Sequence, residues 1–152
     1  DTDICLFWFR WLKTFHEAEG GIVNIGRSYK KYGLVLQPNG DLTYTEWAPA
    51  AKRITLFGDF NYWNRDEFPC SKNEFGCFTI TLKANPDGTP RIGHNQKWKV
   101  QVEGPDGKKM DRNSAWATYA VQETKTFLFH SVFWNPPAQF VWTHKRPIPV
   151  PA

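Results

Sequence analysis

The stretch Gly33–Trp47, GLVLQPNGDLTYTEW, decides the fold. Two runs with alternating character, GLVLQ and LTYTEW, flank PNGD, a turn signal between strands. From Tyr32 onward the chain keeps period-two patterning, with turn punctuation every eight to twelve residues. ITLFGDF, GCFTITLK, KWKVQVE, FLFHSVFW and FVWTH follow as further strand patterns, and NPDGTP and GPDGKK place Pro and Gly where turns need them. Six or seven such strands predict a mainly β chain: an immunoglobulin-like antiparallel β-sandwich.

Upstream of the hairpin the period changes. Ile4, Phe7, Trp8, Trp11, Leu12 and Phe15 recur at three- and four-residue spacing. That spacing predicts a short N-terminal helical segment, capped by Asp1, Thr2 or Asp3 and stopped by Gly20 and Gly21. A shorter helical pattern with Ile22, Ile25, Tyr29 and Tyr32 ends at Gly33. Its aromatics suit docking onto the rest of the protein or a further domain better than a membrane surface. The expected organisation is a helical segment over 1–32, the sandwich over 33–135 and an extended linker over 136–152, the last marked by THKRPIPVPA.

Composition narrows function by exclusion. The 152 residues contain eight Trp but one Met, and 19 Lys and Arg against 15 Asp and Glu, a dispersed excess of +4. That excess argues only weakly for nucleic acid, and no apolar run approaches the ~20 residues of a membrane span. Cys5, Cys70 and Cys77 form no metal-type pair and read as reduced intracellular thiols, although Cys70 and Cys77 could lie across one hairpin. His16, His94, His130 and His144 lie at no metal-ligand spacing. No nucleotide-binding, nucleophile-elbow or zincin motif occurs, so the expectation is no catalysis, metal or cofactor in this chain.

An aromatic surplus on a β-sandwich remains. Within it, GDFNYWN (Gly58–Asn64) places Tyr62 and Trp63 in what reads as a polar turn. A sugar offers an apolar face and a hydroxyl rim, which a Trp ring and nearby amides or amines match. Covering about 50–100 Å² yields about 1–2.5 kcal/mol per stacked ring. Hydrogen bonds add about 0.5–1.5 kcal/mol each, which together gives a millimolar to tens-of-micromolar site. Such a site works beside a second domain acting on the same polymer.

EWAPAAKRITLFGDFNYWN followed by FPCSKNEFGCF closely resembles the family-48 carbohydrate-binding module at the front of glycogen and starch branching enzymes. The resemblance continues through RIGHNQKWKVQVEGPDGKKMDRNSAWATYAVQ, and FWNPP with FVWTHKRP resembles the approach to those enzymes' catalytic barrel. EAEGGIVNIGRSYKKYGL is similar to their N-terminal helical segment; a shorter form of the GDFNYW signature occurs in AMP-activated protein kinase beta subunits.

The resemblance implies a module that binds α-1,4-glucan chains without cleaving them, and a partner barrel of the family-13 type in the same parent chain. Nucleic acid and membrane are not expected partners. The parent would be cytoplasmic, or plastidial if it is a starch enzyme. On the signature, Trp63 is the stacking ring, Asn61, Asn64 and Arg65 line its loop, and Lys99 lies on the later strand. Period two puts Trp98, Val100 and Val102 on one face and Lys99 with Gln101 on the other. Lys109 stands where many relatives carry a second Trp, and Asn113-Ser114 replaces Ile-Pro, which is expected to loosen that loop. Trp47 and Trp116 read as structural, and Tyr62 as a core residue if the segment is extended. The rival readings are a stand-alone scaffold subunit recruiting a partner to glycogen, and a nucleic-acid binder identifiable by strong salt dependence.

Overall fold

The computed structural model describes residues 2–138 and 140–145. Helix α1 (Thr2–Glu19) gives way at Gly20 and Gly21, both with positive φ, to a short α2 (Ile22–Gly26) against which it packs. Its side chains Ile4, Phe7, Trp8 and Leu12 remain exposed. The cap at Asp1 lies outside the described residues, as do the side chains of Trp11 and Phe15. No helix among the described residues is long and apolar enough to cross a membrane.

Ten strands follow. They are β1 (Gly33–Leu36), β2 (Leu42–Trp47), β3 (Arg53–Gly58), β4 (Phe68–Pro69), β5 (Ser71–Lys72), β6 (Cys77–Leu82), β7 (Lys97–Glu103), β8 (Lys109–Arg112), β9 (Ala120–Gln122) and β10 (Phe129–Val132). One antiparallel sheet runs β1-β2-β6-β5; the other runs β4-β3-β7-β10-β9. The second edge of β7 is shared: β10 pairs with Lys97 and Trp98, and β8 pairs with Val100–Glu103.

Alternation explains the core. Leu42, Tyr44, Phe78 and Leu82 of the first sheet meet Ile54, Leu56, Trp98 and Val100 of the second. Each such side chain contributes about 1.5–3 kcal/mol by leaving water. Tyr44 and Trp98 meet edge to face at 5.7 Å, and the Tyr44 hydroxyl donates to Glu46 Oε2 at 2.9 Å, which satisfies a polar group inside the sandwich. The mainly β, antiparallel two-sheet architecture agrees with the sequence reading.

Three details differ from it. Residues 140–144 were expected as a strand and form none, and Phe140 and Trp142 meet edge to face in the open at 5.0 Å. Strands β4, β5 and β9, two or three residues long, are too brief for period two to reveal, and β8, exposed at all four residues, has no buried face for it to mark. Asn113-Ser114, expected to loosen its loop, instead pins it. Asn113 Oδ1 accepts the Ser131 N–H at 3.2 Å, and buried Ser114 bonds Glu46 and accepts the Trp116 N–H at 3.1 Å. Trp116 stacks on Tyr32 at 4.9 Å, whereas Trp47 is 59% exposed and tied by its indole N–H to the Phe75 carbonyl at 3.0 Å. Cys5, Cys70 and Cys77 are free thiols, and burial pushes the Cys70 thiol up to about 12.

Candidate functional site

The loop after β3 is built on a close backbone approach at Gly58 and a left-handed pair at Tyr62 and Trp63. A Cβ on Gly58 would lie 2.3 Å from the Lys97 carbonyl oxygen, so only Gly passes there. Beyond a single turn of 3-10 helix at Asp59–Asn61, Tyr62 and Trp63 both adopt left-handed backbone, φ 53 and 62. Each costs roughly 1–2 kcal/mol for a residue with a Cβ, so the surroundings must enforce it. They do: the Trp63 N–H donates to the Gly58 carbonyl at 2.9 Å, and the Asn64 N–H to the Asn61 carbonyl at 3.1 Å. Because the segment is coiled left-handed, strand alternation fails here. Tyr62, expected in the core, is 96% exposed.

Asn61, expected to meet a ligand, is 4% exposed and occupied inside the loop. Its Oδ1 accepts the Gly58 N–H at 2.9 Å and its Nδ2 donates to the Asn64 carbonyl at 2.7 Å. Asn64 is exposed and turns the chain, with its Oδ1 accepting the Asp66 N–H at 3.1 Å. Neither amide lines the cleft described next.

The cleft measures about 510 Å³ and lies over the outer face of the second sheet. Three expected residues meet in it: Trp63, Arg65 and Lys99. Its floor is Phe57, which faces outward on β3, opposite Lys99 in register, yet is 0% exposed. Trp63 covers Phe57 edge to face at 5.7 Å, and the Arg65 guanidinium lies over its ring at 4.7 Å. Trp63 also meets the His130 ring at 5.4 Å, which leaves it half-buried and open to the cleft.

Asp59 fixes this ring. Its Oδ1 accepts the Trp63 indole N–H at 3.0 Å while its Oδ2 accepts the backbone N–H of Lys97 at 2.7 Å. The ring is therefore tethered to β7, and its N–H is spent. Asp59→Ala removes both bonds, each of about 0.5–1.5 kcal/mol. The expected result is a roughly fivefold or larger fall in ligand affinity, with the Trp63 indole N–H resonance moving and exchanging faster with water. An unmoved indole resonance contradicts the tether.

Charge in the cleft balances. Arg65, Lys97 and Lys99 face Asp59, Asp111 and Glu123. Bonding to Arg65 holds the Asp111 carboxyl below its usual range and raises the Arg65 guanidinium in turn; the Thr126 hydroxyl at 2.7 Å holds Glu123 low. Burial, then the Lys99 and Lys97 charges, lowers His130, so its imidazole is neutral at neutral pH. Its Nε2 sits 4.0 Å from Glu123, beyond hydrogen-bond reach.

Lys97 shares a face with Lys99 by period two and was legible in KWKVQVE. Asp111, Glu123 and His130 were not, because their arrival depends on how β8 and β10 share one edge of β7. Among the described residues no group of three or more His, Cys, Asp or Glu is placed to hold a metal ion.

A β-sandwich carrying an open, aromatic-floored and charge-balanced cleft on one sheet has the form of a binding module. The chain belongs to carbohydrate-binding module family 48 (isoamylase N-terminal domain), whose family model matches residues 31–117.

Its relatives include the 1,4-alpha-glucan-branching enzymes of Yarrowia lipolytica (37% identical, 93% of this chain, 23% of that one) and Saccharomyces cerevisiae (43%, 79% and 18%). Another is 1,4-alpha-glucan-branching enzyme 2-2, chloroplastic/amyloplastic, of Arabidopsis thaliana (38%, 86% and 16%). The chain thus spans about a fifth of the length of these curated relatives. Among solved structures, the catalytic module of the glycogen-degrading pneumococcal virulence factor SpuA shares the fold at a TM-score of 0.52 and 18% identity, over 72% of this chain and 17% of that one. Pullulanase type I from Bacillus subtilis does so at 0.50 and 18%, over 75% and 14%.

Proposed function

We propose that this chain is the α-1,4-glucan-binding module of a 1,4-alpha-glucan branching enzyme, holding glycogen or starch chains for a catalytic barrel of the same parent. Trp63 stacks on a sugar face, and Lys99 and Arg65 hydrogen-bond hydroxyls. The observation that carries this reading is the tethered Trp63 ring opening onto a cleft with Lys99 and Arg65 at its side. In this reading residues 1–32 are a helical segment, 33–135 the sandwich and 136–152 the approach to the barrel. The exposed apolar side chains of α1 favour a protein surface as its docking partner. The parent works in the cytoplasm, or in a plastid if it acts on starch.

Binding without turnover is the chemistry these groups support. Glycoside chemistry needs one carboxyl held protonated beside one ionised. The cleft's Asp111 and Glu123 are both held low, and Asp59 is committed to Trp63 and Lys97.

The balanced charge also favours a neutral polymer over nucleic acid, and this is the test. Titration with maltoheptaose should give millimolar to tens-of-micromolar affinity that changes less than about twofold over a tenfold rise in salt. Absence of binding at millimolar sugar, or steeply salt-dependent binding of single-stranded nucleic acid, overturns it.

A further inference from the structure

Beside Trp63 the cleft has a second flat surface, and it is an ion pair. Arg65 grips Asp111 side on: Nε lies 3.2 Å from both carboxylate oxygens and Nη2 lies 2.6 Å from Oδ2. Asp111 is held from its other side by Gln101 Nε2 at 3.3 Å. The guanidinium lies over the Phe57 ring at 4.7 Å, and Phe57 has no exposure left. One side of the pair is therefore against the sheet. The pair is still substantially open, with 44% and 34% side-chain exposure, and both residues line the cleft.

We propose that the Arg65–Asp111 pair is a second sugar-facing subsite, a plate that hydrogen-bonds the hydroxyl rim of the sugar residue adjoining the one stacked on Trp63. This rests on the glucan-binding reading and deepens it.

Donor accounting supports the plate. A guanidinium has five N–H donors in a fixed plane. Asp111 takes Nε–H and one Nη2–H, and the Trp63 carbonyl takes one Nη1–H at 3.5 Å. The second hydrogen on each Nη is left, held in direction by the carboxylate. Hydrogen bonds from a charged donor are about twice as strong as neutral ones. Fixing that donor in advance removes much of the ordering cost of binding. The contact to the Trp63 carbonyl sets the plate directly beside the stacking loop. A cleft of about 510 Å³ falls within the size of pockets that hold ligands larger than one sugar ring.

Lysine does not substitute. It carries the same charge as a mobile point, with no plane and no bidentate grip. An exposed ion pair contributes little to folding, so both members can be exchanged with the sandwich intact.

The test compares glucose, a single ring that reaches Trp63 alone, with maltoheptaose on the 152-residue chain, as wild type, Arg65→Lys and Asp111→Asn, each checked for an unchanged melting temperature. Wild type should bind maltoheptaose more tightly than glucose. Both variants should lose about fivefold or more on maltoheptaose and less than about twofold on glucose, so that the gain with length disappears. Retention of the full gain in both variants overturns the subsite. Equal loss on both sugars also overturns it, because Arg65 then serves only to position Trp63. Failure of the wild type to bind either sugar overturns the glucan reading, and the subsite with it.

Discussion

Trp63→Ala should reduce binding of maltoheptaose by about 5- to 70-fold, the equivalent of the 1–2.5 kcal/mol carried by one stacked ring. The ring is half-buried against Phe57 and His130, so the same change should also destabilise the sandwich by about 1–3 kcal/mol, short of unfolding it. Trp63→Phe separates the two functions of the side chain. It keeps an aromatic face but has no N–H for Asp59, so its affinity should fall between wild type and Ala. Isothermal titration beside thermal melts measures both. Wild-type affinity in the Ala variant would mean that the ring is only a plug over Phe57.

Phe57→Ala should have the largest effect on stability. Phe57 faces outward on β3 yet is fully enclosed, because Trp63, Arg65 and the sheet close over it. Emptying that position leaves a cavity under two binding residues at once. The expected cost is about 3–5 kcal/mol, which for a domain of this size lowers the melting temperature by about 6–20 °C. Glucan affinity should fall as well, even well below the melting temperature, because Trp63 and Arg65 lose their shared floor. Phe57→Leu, which refills most of the volume, should cost less than about 1.5 kcal/mol. A melting temperature unchanged in the Ala variant would show that Phe57 is not the floor of the cleft.

These two residues show how far sequence alone reaches. The strand face of Trp98, Val100 and Val102 was legible because period two is local, and with it the outward placement of Lys99. Phe57 was equally legible as outward, but not as buried, since its cover comes from a loop that folds back over it. Tyr62 was misplaced for the complementary reason. Strand logic was extended past the end of β3 and across a 3-10 turn, into two left-handed positions that no propensity predicts for aromatic side chains. Asn61 was recognised as part of the loop, but its burial depends on bonds to Gly58 and Asn64 that spacing does not reveal. Asp111 and His130 reach the cleft only through non-local pairing along β7, and period two is silent about partners.

One cleft on the second sheet should bind α-glucan. The most direct measurement is an amide and indole chemical-shift titration of the intact chain with maltoheptaose. The largest shifts should cluster at the Trp63 indole, Lys97, Lys99, Arg65 and Asp111, with Asn61 following only through the loop. Shifts centred instead on Trp47 or Trp116, or none at millimolar sugar, would contradict it.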